Sequence, residues 1–166
     1  RFQRYYERRN LWIHSRTGAI GADAADAERV ADEDLGVPPT ADQRQLYQLA
    51  QEQLAHNAAL LAPGRSLCEL AERAWPCPDE YRPWRYGLIG HGLGLAGEFP
   101  NIPHAEPGTP YPLSGVLEPG MVICLESYMG SPRHSQGVKL EQQFLIRDTD
   151  VEQMSQYRLD ARLGAA

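Results

Sequence analysis

One imidazole and two carboxylates sit in three separate glycine-punctuated strings: His91 in GHGLGL, Glu126 in LEPGMVICLES and Glu141 in GVKLEQQFLI. A neutral imidazole and ionised carboxylates suit Mn, Fe, Co or Zn divalent ions, and several carboxylates together favour a pair of ions that activates a bridging water. The three residues therefore read as a divalent-metal site. Each also has an ordinary alternative. A His between glycines is commonly a loop residue. Glu126 closes an apolar run, where a carboxylate must be paired, hydrogen-bonded or metal-bound to avoid a desolvation penalty of about several kcal/mol; its alternative is a salt bridge to a neighbour such as Lys139. Glu141 alternates with apolar residues and fits a solvated strand face. Composition and spacing alone leave the two readings side by side.

The elements that must position these residues follow from local signals. Thr40 followed by Gln43 forms a capping-box pattern, and Leu46, Ala50, Leu54 and Leu61 recur at helical spacing until Pro63 and Gly64 stop the run. Ser66 followed by Glu69 starts a shorter helix, which must end near Trp75 because Pro76 and Pro78 cannot continue it. Residues 76 to 120, broken by Pro, Gly and Tyr, are expected to be loops and short strands carrying the site. Pro119 and Gly120 make a turn, after which the apolar run from Met121 to Leu125 is a strand ending at Glu126. A second strand runs from Gly137 to Arg147, with Glu141 on the face opposite Val138 and Leu140. Residues 151 to 163 are polar with a few anchors and suit a closing turn or short helix, whereas residues 1 to 39 show little periodicity.

At 166 residues and 42% hydrophobic, the chain can bury one sizeable core and reads as a single domain over 1 to 166. A formal charge of −6 with interspersed signs offers no basic stripe, which argues against nucleic acid and anionic membrane surfaces as partners. No apolar run approaches the ~20 residues that span a bilayer and no signal peptide is visible, so a soluble, cytoplasmic protein is expected. Cys68, Cys77 and Cys124 are odd in number and irregular in spacing. That excludes a disulfide framework and a zinc ribbon, and leaves them as small buried apolar residues. A chain opening on Arg1 reads as a fragment.

The strings GHGLGLAGEFP, LEPGMV, the apolar strand ending in Glu and GVKLEQQFLI together resemble the signature of the pita-bread (M24) metallopeptidase superfamily, which contains methionine aminopeptidase, aminopeptidase P, prolidase and creatinase. The likeness covers residues 40 to 163, including the ending MSQYRLDARL, and CLESYMG with GVKLEQQ is most similar to the dimethylsulfoniopropionate lyase branch. The resemblance implies an α+β pita-bread fold, a curved and mainly antiparallel sheet with flanking helices, incomplete at the N-terminus. It implies that His91, Glu126 and Glu141 are metal ligands for one or two divalent transition ions, with Glu141 bridging. Tyr86, five residues before His91, falls where the lyase branch has a substrate-holding tyrosine, and an aromatic face suits a cationic sulfonium; ordinary rim packing is its alternative. A small-molecule or short-peptide substrate and a homodimer are also implied.

The departures are as informative. Where the peptidases place a second histidine and the lyases an aspartate base, this chain has Gly97. Glu98 is adjacent and ionisable, but on an extended segment it would point to the other side, a poor substitute for the catalytic base. The first metal-binding strand also departs: Asp26 matches the later aspartate, with Asp23 as an alternative register, while the earlier positions fall on His14 and Arg16. His14 could ligate an ion, but Arg16 is always charged and would repel one. The expected consequence is at least one lost metal position, with a single ion held by His91, Glu126, Glu141 and Asp26. Two functions follow: a metal-dependent enzyme domain, Xaa-Pro peptidase-like or a dimethylsulfoniopropionate lyase, or a degenerate non-catalytic domain used for binding.

Overall fold

The computed structural model describes the backbone of residues 11–15 and, in full, residues 39–95, 97–156, 159 and 163. Asp26, Asp23 and Arg16 lie outside the described residues. Six strands are named in chain order: β1 (Leu11–Ser15), β2 (Leu88–Gly92), β3 (Asn101–Pro103), β4 (Val122–Gly130), β5 (Gln136–Ile146) and β6 (Val151–Gln153). Among the described residues, two α-helices, α1 (Ala41–Leu60) and α2 (Leu67–Glu72), precede β2. The strands form one sheet in the order β1-β5-β4-β2-β3, with β6 also on β5, and every pairing is antiparallel.

Helix α1 starts where the capping-box pattern places it. Thr40 Oγ1 accepts from the Gln43 N–H at 3.2 Å, and Gln43 Oε1 accepts from the Thr40 N–H at 2.8 Å, which satisfies two backbone donors the helix cannot. The Ser66 hydroxyl caps α2 in the same way through the Glu69 N–H at 3.0 Å. Helix α1 packs across β4 and β5. Its Leu46, Tyr47, Ala50 and Leu54 meet Ile123, Leu125, Met129, Val138 and Leu140 in one dry core.

Two expectations change. The strand through Glu126 does not end there: it runs to Gly130 and pairs residue for residue with β5, so Glu126 lies in mid-strand opposite Glu141. The polar residues after Leu125 concealed this, because Ser127 is buried on the helix side, where its hydroxyl donates to Gln53 Oε1 of α1 at 2.6 Å. At the C-terminal end, Val151–Gln153 pairs on β5 as a strand rather than a short helix. β1 and β6 share one edge of β5, at opposite ends of it.

Candidate metal centre

Strand parity builds the site. Residues directly opposite in an antiparallel pair share a face, as do alternate residues along a strand. His91 is opposite Cys124, Glu126 is opposite Glu141, and Tyr128 is opposite Lys139. His91, Cys124, Glu126, Lys139 and Glu141 therefore occupy the face turned away from α1. The glycines on either side of His91 are demanded by packing. A Cβ on Gly90 would collide with the Cys124 carbonyl, and one on Gly92 with the Phe99 carbonyl. His91 is thus held between closely approaching backbones.

The His91 ring is oriented by its own turn of strand: Nδ1–H donates to the Gly92 carbonyl at 2.9 Å, which leaves Nε2 facing Glu126 Oε1 at 3.2 Å. Lys139 Nζ donates to the same oxygen at 3.0 Å, lies 3.7 Å from Glu141 Oε2, and sits 5.3 Å from the centre of the Tyr86 ring. The salt bridge offered above as the ordinary alternative for Glu126 is therefore present. It does not satisfy the carboxylate, because Glu126 Oε2 is buried with no hydrogen-bond partner among the described residues. One donor atom each from His91, Cys124 and Glu141 lies within 4.8 Å of the others.

The cluster tunes its members strongly. The hydrogen bond to Glu126 raises His91 to about 9 against the opposing effect of burial. Burial works to raise Glu126, but the His91 hydrogen bond and the Lys139 ammonium outweigh it and hold the carboxyl below its usual range. Glu141 is raised, first by burial and then by the charge of Glu126, with Lys139 opposing. Burial and the neighbouring Glu141 push the Cys124 thiol up to about 12. Two carboxylates are thus balanced by an imidazolium and an ammonium in a water-poor setting.

These residues fit a divalent transition ion. An imidazole whose other nitrogen is fixed by a carbonyl is the usual orientation of a metal-ligating His, and the orphaned Glu126 oxygen is a buried acceptor that a cation would satisfy. The donor set of N, O and S suits Zn, Fe or Co.

The other expected residues fall as follows. Tyr86 is exposed at the rim beside Lys139. Glu98 does not stand on an extended segment: Gly97 takes φ 96° and its N–H bonds back to the Gly94 carbonyl at 3.2 Å, closing a turn. The turn replaces the extended backbone on which Glu98 was expected to point to the other side; Glu98 is exposed, and its charge makes a small contribution to raising His91 and Cys124. In β1, the backbone of His14 pairs with Gly137, four residues along β5 from Glu141, or roughly 13 Å at strand spacing. Cys124 was not expected as a member of the site, and Lys139 was expected only as a salt-bridge partner of Glu126. The signal for both was spacing: each precedes a candidate glutamate by two residues on a strand, the separation that shares a face.

The model of metallopeptidase family M24 matches residues 16–148. The chain belongs to this M24 family. Among curated relatives, it is 34% identical over 125 residues to dimethylsulfoniopropionate lyase DddP of Roseovarius nubinhibens, a match covering 75% of this chain and 28% of the relative. Among solved structures it is similar to the prolidase of Pyrococcus furiosus, with a TM-score of 0.58, 25% identity, and coverage of 75% of this chain and 35% of that one. It also resembles the X-Pro aminopeptidase of Thermotoga maritima in fold, with a TM-score of 0.57, 16% identity, and coverage of 72% and 33%. The M24 chain here thus spans about a third of the length of these relatives. The likeness establishes the α+β pita-bread fold, and no described helix is long and apolar enough to cross a membrane.

Proposed function

We propose that this chain carries an M24-type site for a divalent transition metal, held by His91, Glu126 and Glu141, and that it acts on a small molecule as a dimethylsulfoniopropionate lyase. The observation that carries the lyase reading is the 34% identity to a lyase of that name over three quarters of the chain. The position of Tyr86 supports it: the ring stands beside the carboxylate cluster and already faces the Lys139 ammonium at 5.3 Å, so a sulfonium could be received there by the same attraction.

A bound divalent ion would supply Lewis acidity toward the substrate carboxylate. The chain's own residues do the rest. Glu98, the ionisable residue next to the Gly97 turn, would take the proton alpha to the carboxylate. The electron pair left behind forms the carbon–carbon double bond as the bond from the beta carbon to sulfur breaks, releasing dimethyl sulfide and acrylate. Gln and Ala variants of Glu98 are expected to lose activity while retaining metal, which separates proton transfer from binding.

The Xaa-Pro peptidase reading is favoured by the prolidase likeness. In that case the residue at Gly97 would have steadied the tetrahedral oxyanion, and this chain offers no side chain there. Elemental analysis of the purified chain is expected to find about one equivalent of metal per chain, lost in His91→Ala and Glu141→Ala. Assays for dimethyl sulfide from dimethylsulfoniopropionate and for cleavage of Xaa-Pro dipeptides then decide between the two enzymes. Absence of metal after reconstitution would overturn both readings and leave a non-catalytic binding domain.

A further inference from the structure

The sequence treats Cys124 as a small buried apolar residue, and the M24 pattern of His91, Glu126 and Glu141 makes no use of it. The structure places it otherwise. Cys124 is buried directly opposite His91 across the β2–β4 ladder, two residues before Glu126 on the same face, and its sulfur is grouped with His91 and Glu141. A purely packing role would turn the thiol toward apolar neighbours. Here it meets a carboxylate and an imidazole, and the neighbouring Glu126 Oε2 is a buried acceptor with no hydrogen-bond partner among the described residues.

We propose that Cys124 is a metal ligand, so that His91 Nε2, the Cys124 thiolate and the Glu141 carboxylate form a sulfur-containing site for a single zinc-like ion. The proposal rests on the metal-site reading above and changes its chemistry. Ligand atoms around a tetrahedral zinc stand about 3.5 Å apart, given metal–sulfur and metal–nitrogen lengths of roughly 2.3 and 2.0 Å. The three donors here lie within 4.8 Å of one another, so side-chain adjustment of roughly 1 Å closes the set. Binding releases the thiol proton to solvent, since a coordinating thiol is deprotonated outright. Glu126 keeps its bond to Lys139 through Oε1 and stands beside the three grouped donors rather than among them. Because thiolate is a soft donor, the site should favour zinc or cobalt over manganese and magnesium.

Cobalt(II) loading tests this without an activity assay. The expected result is visible ligand-field bands together with a near-ultraviolet sulfur-to-cobalt charge-transfer band. In Cys124→Ser that band disappears, and zinc affinity falls by at least the order of 10- to 100-fold that loss of an outer-shell partner produces. The Cys68→Ser/Cys77→Ser variant, which retains only Cys124, keeps the band and decides the matter should Cys124→Ser fail to fold. Cobalt bound with ligand-field bands but no charge-transfer band would overturn the Cys124 assignment while the metal site stands. A chain that takes up no cobalt would overturn both.

Discussion

The two faces of β4 are built on opposite principles. Ile123, Leu125 and Met129 look toward α1, are fully buried and belong to the apolar core, with the Ser127–Gln53 hydrogen bond on the same face. Cys124 and Glu126, one residue out of step, are equally buried but join two cations, a second carboxylate and an unsatisfied oxygen. Burying a Leu-sized side chain stabilises by about 1.5–3 kcal/mol. Desolvating an ion cluster roughly cancels its Coulombic gain. One strand therefore carries stability on its odd positions and chemistry on its even ones, and either can change with limited effect on the other.

The largest effect should come from the helix side. Leu125→Ala is expected to lose about 2–5 kcal/mol of stability in denaturant titration, with metal content per folded chain unchanged. The double variant Glu126→Leu/Lys139→Met should do the reverse. Replacing the paired charges by apolar groups of similar volume is expected to leave stability unchanged or raise it by about 1–4 kcal/mol, and to abolish metal uptake. A loss as great as that of Leu125→Ala would break the comparison.

Ser127→Ala sharpens it, because its hydroxyl makes a buried polar contact on the helix side. Leaving Gln53 Oε1 buried without its donor should lower stability by about 1–3 kcal/mol, again with metal uptake intact.

The pH dependences separate by sign. His91 titrates at about 9 in the fold, above its unfolded value of roughly 6.5. Its contribution is complete below the unfolded value and is lost as pH rises through about 9. His104, beyond β3, is lowered to about 4 by burial and then by the Arg85 charge, with a hydrogen bond to the Tyr86 backbone opposing. Its contribution is complete above pH 6.5 and is lost as pH falls toward 4. Thermal melts of the chelator-treated chain should therefore show His91→Gln flattening the alkaline limb and His104→Gln flattening the acid limb. If both variants moved the same limb, the two shifts would be misassigned.

Much of this was readable residue by residue. Thr40 with Gln43, and Ser66 with Glu69, announced both helix starts, because capping is settled within four residues. The alternation around Glu141 put it on the face away from Val138 and Leu140, where it is found. Glu126 was legible as a carboxylate in need of a partner, but not as a mid-strand residue. Ser127 reads as polar until Gln53, far away in sequence, is seen to receive its hydroxyl. For Glu98 an extended backbone was assumed, whereas the segment before it closes a turn at Gly97 with positive φ.

The sequence by itself determined both described helix starts, the apolar patterns of β4 and β5 and the three ligand candidates, since periodicity, caps and short motifs are local properties of the chain, while the α+β class came from the resemblance those motifs carry. Only the tertiary structure decided which side chains meet. The register of β4 against β2 and β5 puts Cys124 beside His91 and Glu126 beside Glu141, and draws the Lys139 ammonium onto both carboxylates. Register is a long-range property: a shift of one residue would send every one of these groups to the opposite face.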